Sequence, residues 1–266
     1  MARFQSFTSG SCGNCCYIEG PEGKAVLIDA GTSLKRVKTT LASAGIGMDS
    51  IAAILVTHDH YDHIRNLGSF CKHLGIPVWA TPRLHAALAC HFATAEYIAP
   101  CRRELVPQAW NNVAPGISVR YFGVSHDATD TVGFALVLGE HKMVFMTDLG
   151  AVPKDAMDLS RQADTVVIES NYDVGMLLGG DYPYELKMRI VHDAGHLSND
   201  DCAEAIKSFF HPGLKNLFLC HLSAENNTRT LAYESAREAL RKAGAAEGSV
   251  QLRILPRGEA TPLLSL

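Results

Sequence analysis

No run of about eighteen apolar residues occurs in the 266-residue chain, which excludes a helix crossing a membrane. The opening MARFQSFTSGSCGN has no apolar core behind a basic end, so it does not read as a signal peptide. Low-complexity segments, long linkers and short-period repeats are missing, which argues against disordered arrays and solenoids. An excess of positive charge is missing too. The net charge is -4, so composition lends nucleic-acid binding no support, although a local basic groove is compatible with it. The eight cysteines (Cys12, Cys15, Cys16, Cys71, Cys90, Cys101, Cys202 and Cys220) are scattered and follow no secretory leader. They fit reduced thiols and a cytoplasmic protein better than a disulfide framework. Cys12-x-x-Cys15-Cys16 has no second ligand pair at zinc-knuckle spacing, and reads as a turn before a strand.

Apolar residues make up 47% of the chain and charged residues 20%, an ordinary globular balance with ample material for a core. The length is near the upper size at which one core still serves one domain, so a single domain over residues 1–266 is expected. Its least regular stretch is 91–115, with three prolines and the pair Arg102-Arg103, which we read as an elaborated loop.

Runs rich in β-branched residues recur along the chain: CYIEG, KAVLIDAG, IAAILVTH, IPVWAT, ISVRYFGVSH, TVGFALVLG, HKMVFMTDLG, DTVVIES, LKNLFLCHLS and VQLRILP. Helical patterns lie between several of them, over Thr32–Ala44, His63–Leu74, Asp200–Phe210 and Thr228–Ala243. In the last, Leu231, Ser235, Ala239 and Leu240 are expected to share one face, and Gly244 supplies a stop. Asn199 or Asp200 is the expected cap of the helix before it. The three runs from Ile117 to Thr147 read as antiparallel hairpins. The fold class is therefore α/β with mixed sheets.

Five apolar runs lead into chemistry at the same relative place. IAAILVT runs into His58-Asp59-His60-Tyr61-Asp62-His63, ISVRYFGVS into His126, HKMVFMT into Asp148, DTVVI into Glu169-Ser170-Asn171, and LKNLFLC into His221. Strand ends along one sheet edge lie close in space, and ligands bind at such edges. Neutral imidazoles and carboxylates are zinc or manganese ligands foremost, and also suit iron or nickel. Four ligand-type residues within six positions after a buried strand is a specific pattern; the bland alternative is a solvated polar turn. His73, His85, His91, His141 and His211 lie away from strand ends and read as structural or solvated. Tyr61, Tyr172, Tyr182 and Tyr184 are the right type to stack on bases, and equally read as partly buried aromatics. Ser9, Gly10, Gly13 and Asn14 form a turn whose backbone N–H groups suit a phosphate.

His58-x-His60-x-Asp62-His63, with His126, Asp148 and His221 following strands, resembles the metallo-β-lactamase superfamily over essentially the whole chain. That resemblance implies a four-layer αββα sandwich with its site at one edge. It implies two divalent metal ions: His58, His60 and His126 on one, Asp62, His63 and His221 on the other, and Asp148 bridging. Asp29 in Leu27-Ile28-Asp29-Ala30-Gly31 matches the superfamily's early Asp-x-Gly, implying a carboxylate that orients a ligand histidine. True β-lactamases carry a cysteine where Asp148 stands, and flavodiiron proteins a glutamate where His60 stands. Neither activity is therefore implied.

Glu169-Ser170-Asn171, then Gly195-His196-Leu197-Ser198, then Cys220-His221-Leu222-Ser223 resembles the phosphodiesterase branches, in which the extra histidine acts on phosphate and leaving group. His196 is the matching residue, with Glu169 supporting it. The segment between Asp148 and His196 is too short for the cap domain of β-CASP nucleases, and no Gly-Pro-rich arm for transfer RNA is present. The pattern is most similar to the YycJ/VicX (WalJ) group of bacterial exonuclease-like proteins, through Ser9-Gly10-Ser11-Cys12-Gly13-Asn14 and His221-Leu222-Ser223-x-Glu225-Asn226-Asn227. Cys12 and Cys15 depart from the small or aromatic residues expected in that first loop.

The implied function is 5′-to-3′ exonuclease-like cleavage of DNA, with Asp62, Asp148 and His196 catalytic and Ser9, Gly10, Asn14, Asn171 and Asn226 touching substrate. The competing expectation is a small-molecule hydrolase of the same fold, acting on a thioester, lactone or cyclic phosphodiester. The sequence leaves the oligomeric state open.

Overall fold

The computed structural model describes residues 1–266. All ten apolar runs form strands, because β-branched and aromatic side chains fill a pleated surface buried on one or both faces. They assemble into two seven-stranded sheets. The first contains β1 (Arg3–Gly10), β2 (Gly13–Glu19), β3 (Ala25–Ile28), β4 (Ile51–Leu55), β5 (Val78–Ala80), β6 (Arg102–Glu104) and, at its other edge, β14 (Leu264–Ser265). The second contains β7 (Asn111–Ala114), β8 (Ile117–Gly123), β9 (Val132–Leu138), β10 (His141–Met146), β11 (Thr165–Glu169), β12 (Asn216–Cys220) and β13 (Gln251–Ile254).

Both sheets are mixed. β14, β1, β2 and β3 pair antiparallel, and β3 to β6 parallel. β7 to β10 pair antiparallel, as the hairpin reading required, and β10 to β13 parallel. The parallel strands β4, β11 and β12 are almost wholly buried and mostly apolar, as strands covered on both faces are.

The sheets pack on each other through a core that includes Phe4, Ile28, Phe134, Phe145 and Phe218, with the Phe4 and Phe218 rings 5.1 Å apart. Helices α1 (Leu34–Ser43), α2 (Tyr61–Ile64), α3 (Leu67–Leu74) and α4 (Pro82–Cys90) lie on the first half of the chain. Their apolar stripes bury Val37, Leu41, Ile64, Phe70 and Leu84 against the first sheet. Helices α5 (Lys154–Ser160), α8 (Asn199–Phe209) and α9 (Arg229–Lys242) bury Ala156, Ile206, Phe209 and Ala236 against the second. The expected αββα layering is thus present. No helix is long and apolar enough to cross a membrane.

Local expectations needed correction. The buried stripe of α9 is Ala232, Ala236, Ala239 and Leu240; Leu231 points outward, 41% exposed, because the stripe runs one residue later than expected. The cap of α8 is Ser198, whose Oγ accepts from the Asp201 N–H, rather than Asn199 or Asp200. The stretch 91–115 contains β6 and β7, each closing one edge of a different sheet. α4, α5 and the pair α6 (Val174–Gly179) and α7 (Tyr184–Val191) were not expected, since they are short and carry prolines or glycines at their ends.

Candidate metal centre

The five chemistry-bearing strand ends meet at one edge of the sandwich. His58 follows β4 by three residues, His126 follows β8, and Asp148, Asn171 and His221 follow β10, β11 and β12. Asp29, Asp148 and His221 turn off their strands with φ of 61°, 54° and 54°. Aspartate and histidine are among the few side chains that enter this left-handed region with any frequency. The turn swings each side chain across the sheet edge toward the space between the layers.

Three imidazoles gather on one side. The ligand nitrogens of His58, His60 and His126 lie within 4.8 Å of one another, as do a carboxylate oxygen of Asp62 and ring nitrogens of His63 and His221 on the other side. Asp148 lies between the sets. Its Oδ2 is 3.3 Å from His63 Nε2; its Oδ1 is 3.2 Å from His221 Nδ1 and 4.0 Å from His126 Nε2.

The groups behind this cluster fix its geometry. Asp29 is buried and accepts from Thr57 N–H at 2.8 Å, from Thr57 Oγ1 at 2.8 Å and from His63 Nδ1 at 2.7 Å. That assigns the His63 proton to Nδ1 and turns Nε2 inward. Gly31, two residues after Asp29, allows the metal-motif turn to sit directly on this strand end. A Cβ there would lie 1.7 Å from the Asp62 carbonyl oxygen. Asn14 Nδ2 donates to Asp62 Oδ2 at 3.0 Å and sits 2.8 Å from His63 Nε2.

The electrostatics suit cations. Burial holds His58 well below the ordinary imidazole range, and burial also lowers His126, so both are neutral with a lone pair to offer. His58 Nε2 is fully buried without a hydrogen-bond partner. A buried nitrogen with no partner is costly, and a cation answers it. Burial raises the Asp148 carboxyl, but His221 and His63 outweigh this and hold it well below the carboxylate range. The residues therefore fit divalent metal binding.

A second polar unit adjoins the cluster. Glu169 is fully buried; its Oε1 accepts from His196 Nδ1 at 2.8 Å and from His221 Nδ1 at 2.7 Å. Its Oε2 accepts from the N–H groups of Leu149 at 2.9 Å and Leu197 at 3.3 Å. Burial raises the Glu169 carboxyl, yet the two histidines outweigh it and bring it down to about 2. In return, and against burial, Glu169 and then Asp148 raise His196 to about 9.

His196 lines a cavity of about 390 Å³ with His60, Asp62, His126, Asp148 and His221. Asn171 lines it too, though its Nδ2 donates to the His221 carbonyl oxygen at 2.7 Å. Ser9, Gly10, Asn14 and Asn226 do not line it. Ser9 Oγ accepts from the His221 N–H, and the Gly10 N–H donates to Asn14 Oδ1, so this turn serves the site from behind and has no free N–H of Gly10 for a phosphate. Among the cavity residues to which the sequence assigned no role are Asp127, Arg189 and Arg257. Asp127 joins Arg189 of α7 at 2.5 Å, and Arg257 reaches in from the segment after β13 to bond the Leu222 carbonyl oxygen at 2.6 Å. The His-Asp step at 126–127 hinted at Asp127; nothing local marked the arginines. Among the histidines set aside, His85 and His211 bond the carbonyl oxygens of Arg103 and Ala163, as structural residues do. Cys12, Cys15 and Cys16 are free thiols, the last two buried on β2.

A family model described as Beta-lactamase superfamily domain matches residues 24–221, and the chain belongs to that superfamily of metal-dependent hydrolases. Within it, the chain is 34% identical over 243 residues to Exodeoxyribonuclease YycJ of Bacillus anthracis, covering 91% of this chain and 90% of that one. It is 32% identical over 269 residues to Exodeoxyribonuclease WalJ of Streptococcus pneumoniae, covering 99% and 98%. Zn(2+)-bound PqqB from Methylobacterium extorquens shares the fold, with a TM-score of 0.72 at 16% identity over the full length of both chains.

Proposed function

We propose that the chain is a two-metal phosphodiesterase that degrades DNA from a 5′ end. The observation that carries this reading is the Glu169–His196 pair beside Asp148: an imidazole held by a buried carboxylate and facing the cavity at the cluster's edge. Thioester and lactone hydrolysis has no evident use for it. The relatives named exodeoxyribonuclease support DNA as the polymer.

His58, His60 and His126 would hold one cation, Asp62, His63 and His221 the second, and Asp148 both. Zinc or manganese suits these donors foremost, and iron or nickel is accepted. When bound, the pair supplies Lewis-acid charge to the phosphoryl oxygens and lowers the pKa of water toward ~7. The protein's own part is orientation and proton transfer. Asp62, fixed by Asn14, orients the attacking water. Arg257, with no carboxylate partner in the cavity, meets a phosphate oxygen as a charged donor. As the water oxygen bonds to phosphorus and releases a proton to solvent, the P–O bond of the departing nucleotide breaks and His196 gives its proton to the leaving oxygen. Glu169 stabilises the charged imidazole beforehand.

The test is incubation of 5′- and 3′-labelled linear duplex, and of a closed circle, with each metal. Release from the 5′ end of the linear duplex and no cleavage of the circle are expected. Cleavage of the circle would leave a phosphodiesterase but remove its 5′ polarity. Preference for lactoylglutathione would overturn the substrate class.

A further inference from the structure

Tyr61 stands between two cavity residues, His60 and Asp62, yet its own ring turns outward and is 52% exposed. Beside it lie His91 and Phe92, which follow α4. The Tyr61 and Phe92 rings are 5.5 Å apart and 27° from parallel; His91 and Phe92 are 4.5 Å apart at 28°. Phe92 is 80% exposed. A phenylalanine so open gains almost nothing from burial, so core packing does not account for it.

The arrangement is rigid. The Thr94 and Ala95 N–H groups donate to the His91 carbonyl oxygen at 3.0 and 2.9 Å, and Thr94 Oγ1 ties the turn to the Leu88 carbonyl oxygen at 2.5 Å. Gly68 of α3 lets the turn dock: a Cβ there would lie 2.4 Å from the Ala93 carbonyl oxygen. Three near-parallel rings are thus held beside the His60 and Asp62 backbone, with Tyr61 and Phe92 open to solvent.

We propose that Tyr61, His91 and Phe92 form a stacking platform for a nucleobase of the DNA strand whose phosphate enters the cavity. This rests on the nuclease reading above. A flat aromatic face is what an unpaired base takes, whatever its identity, so the platform favours a frayed or splayed strand end without sequence preference. The backbone would then pass Tyr61 on its way to the cavity that His60 and Asp62 line. The platform is a positioning device, since none of its rings is placed to touch the reacting atoms.

The test compares wild type, Phe92→Ala and Phe92→Trp, as metal-loaded full-length protein, on duplex DNA with normal or abasic residues along its 5′ terminus. Metal content and Tm serve as checks on folding. Phe92→Ala should raise KM on normal DNA by roughly 5- to 150-fold, the range for loss of one base–aromatic stack. On the abasic duplex Phe92→Ala and wild type should not differ, and Phe92→Trp should restore normal KM. Equal losses on both duplexes would overturn the proposal, since the ring would not be reading a base. No loss on either would also overturn it and leave the patch to a protein contact. Wild type that degrades neither duplex under any metal would instead sink the nuclease reading, and the platform with it.

Discussion

Replacing His196 by alanine separates proton donation from metal binding. In the structure His196 Nδ1 is committed to Glu169 at 2.8 Å, and its side chain is 23% exposed, on the cavity side. Raised to about 9, the imidazole carries its proton at neutral pH. Removing such a donor costs roughly 10²–10⁴ in rate, or ~2.7–5.4 kcal/mol of barrier at about 1.36 kcal/mol per decade. Glu169 is left with His221, the Asn171 amide and two backbone N–H groups, so the fold and both metals should survive. The loss should depend on the leaving group, because a nucleotide oxygen needs the proton and p-nitrophenolate does not. Initial rates on labelled duplex DNA and on bis-p-nitrophenyl phosphate measure this, alongside metal content. His196→Ala should impair DNA cleavage far more than ester cleavage. Equal damage to both with metals retained would refute proton donation and point to phosphate positioning. Loss of a metal would make His196 a ligand and require the two ligand sets to be redrawn.

Glu169→Gln removes the charge that raises His196, so the His196 pKa should fall from about 9 toward the ordinary imidazole range. Activity that needs the protonated form is present below that pKa and lost above it. The alkaline limb of the kcat profile should therefore move to lower pH; an unmoved limb would assign it to another group. Asp148→Ala should reduce bound metal from near two ions per chain and abolish turnover of DNA and p-nitrophenyl ester alike. Elemental analysis of chelator-free protein checks this, and two tightly held ions in the variant would contradict the bridging role. Arg257→Ala should raise KM for DNA by roughly 10- to 150-fold, as loss of a charged hydrogen bond worth ~1.5–3 kcal/mol does. A fall in kcat at constant KM would show that it acts on the transition state alone.

The cluster of candidate ligands was legible in the sequence because each member sits at a recognisable strand end. His58, His60, Asp62 and His63 occupy one turn after a buried strand, and His126, Asp148 and His221 each follow an apolar run whose length and β-branching announce it. The same periodicity carried the mixed α/β character, whereas the two-sheet αββα sandwich was implied by the resemblance of the His and Asp motifs to the superfamily. Short elements bounded by proline or glycine, such as α4 and α7, were not legible, because their helicity comes from packing on the sandwich more than from propensity.

What only the tertiary structure decided are the pairings across long stretches of chain. Glu169 serves both His196 and His221, Asn14 anchors Asp62 and His63, Arg257 enters the cavity, and Phe92 lies over Tyr61. Each residue by itself reads equally well as solvated or structural. Its role follows from which strand ends and turns the sheet order brings within hydrogen-bonding or stacking distance, and that order is set by the packing of the whole core.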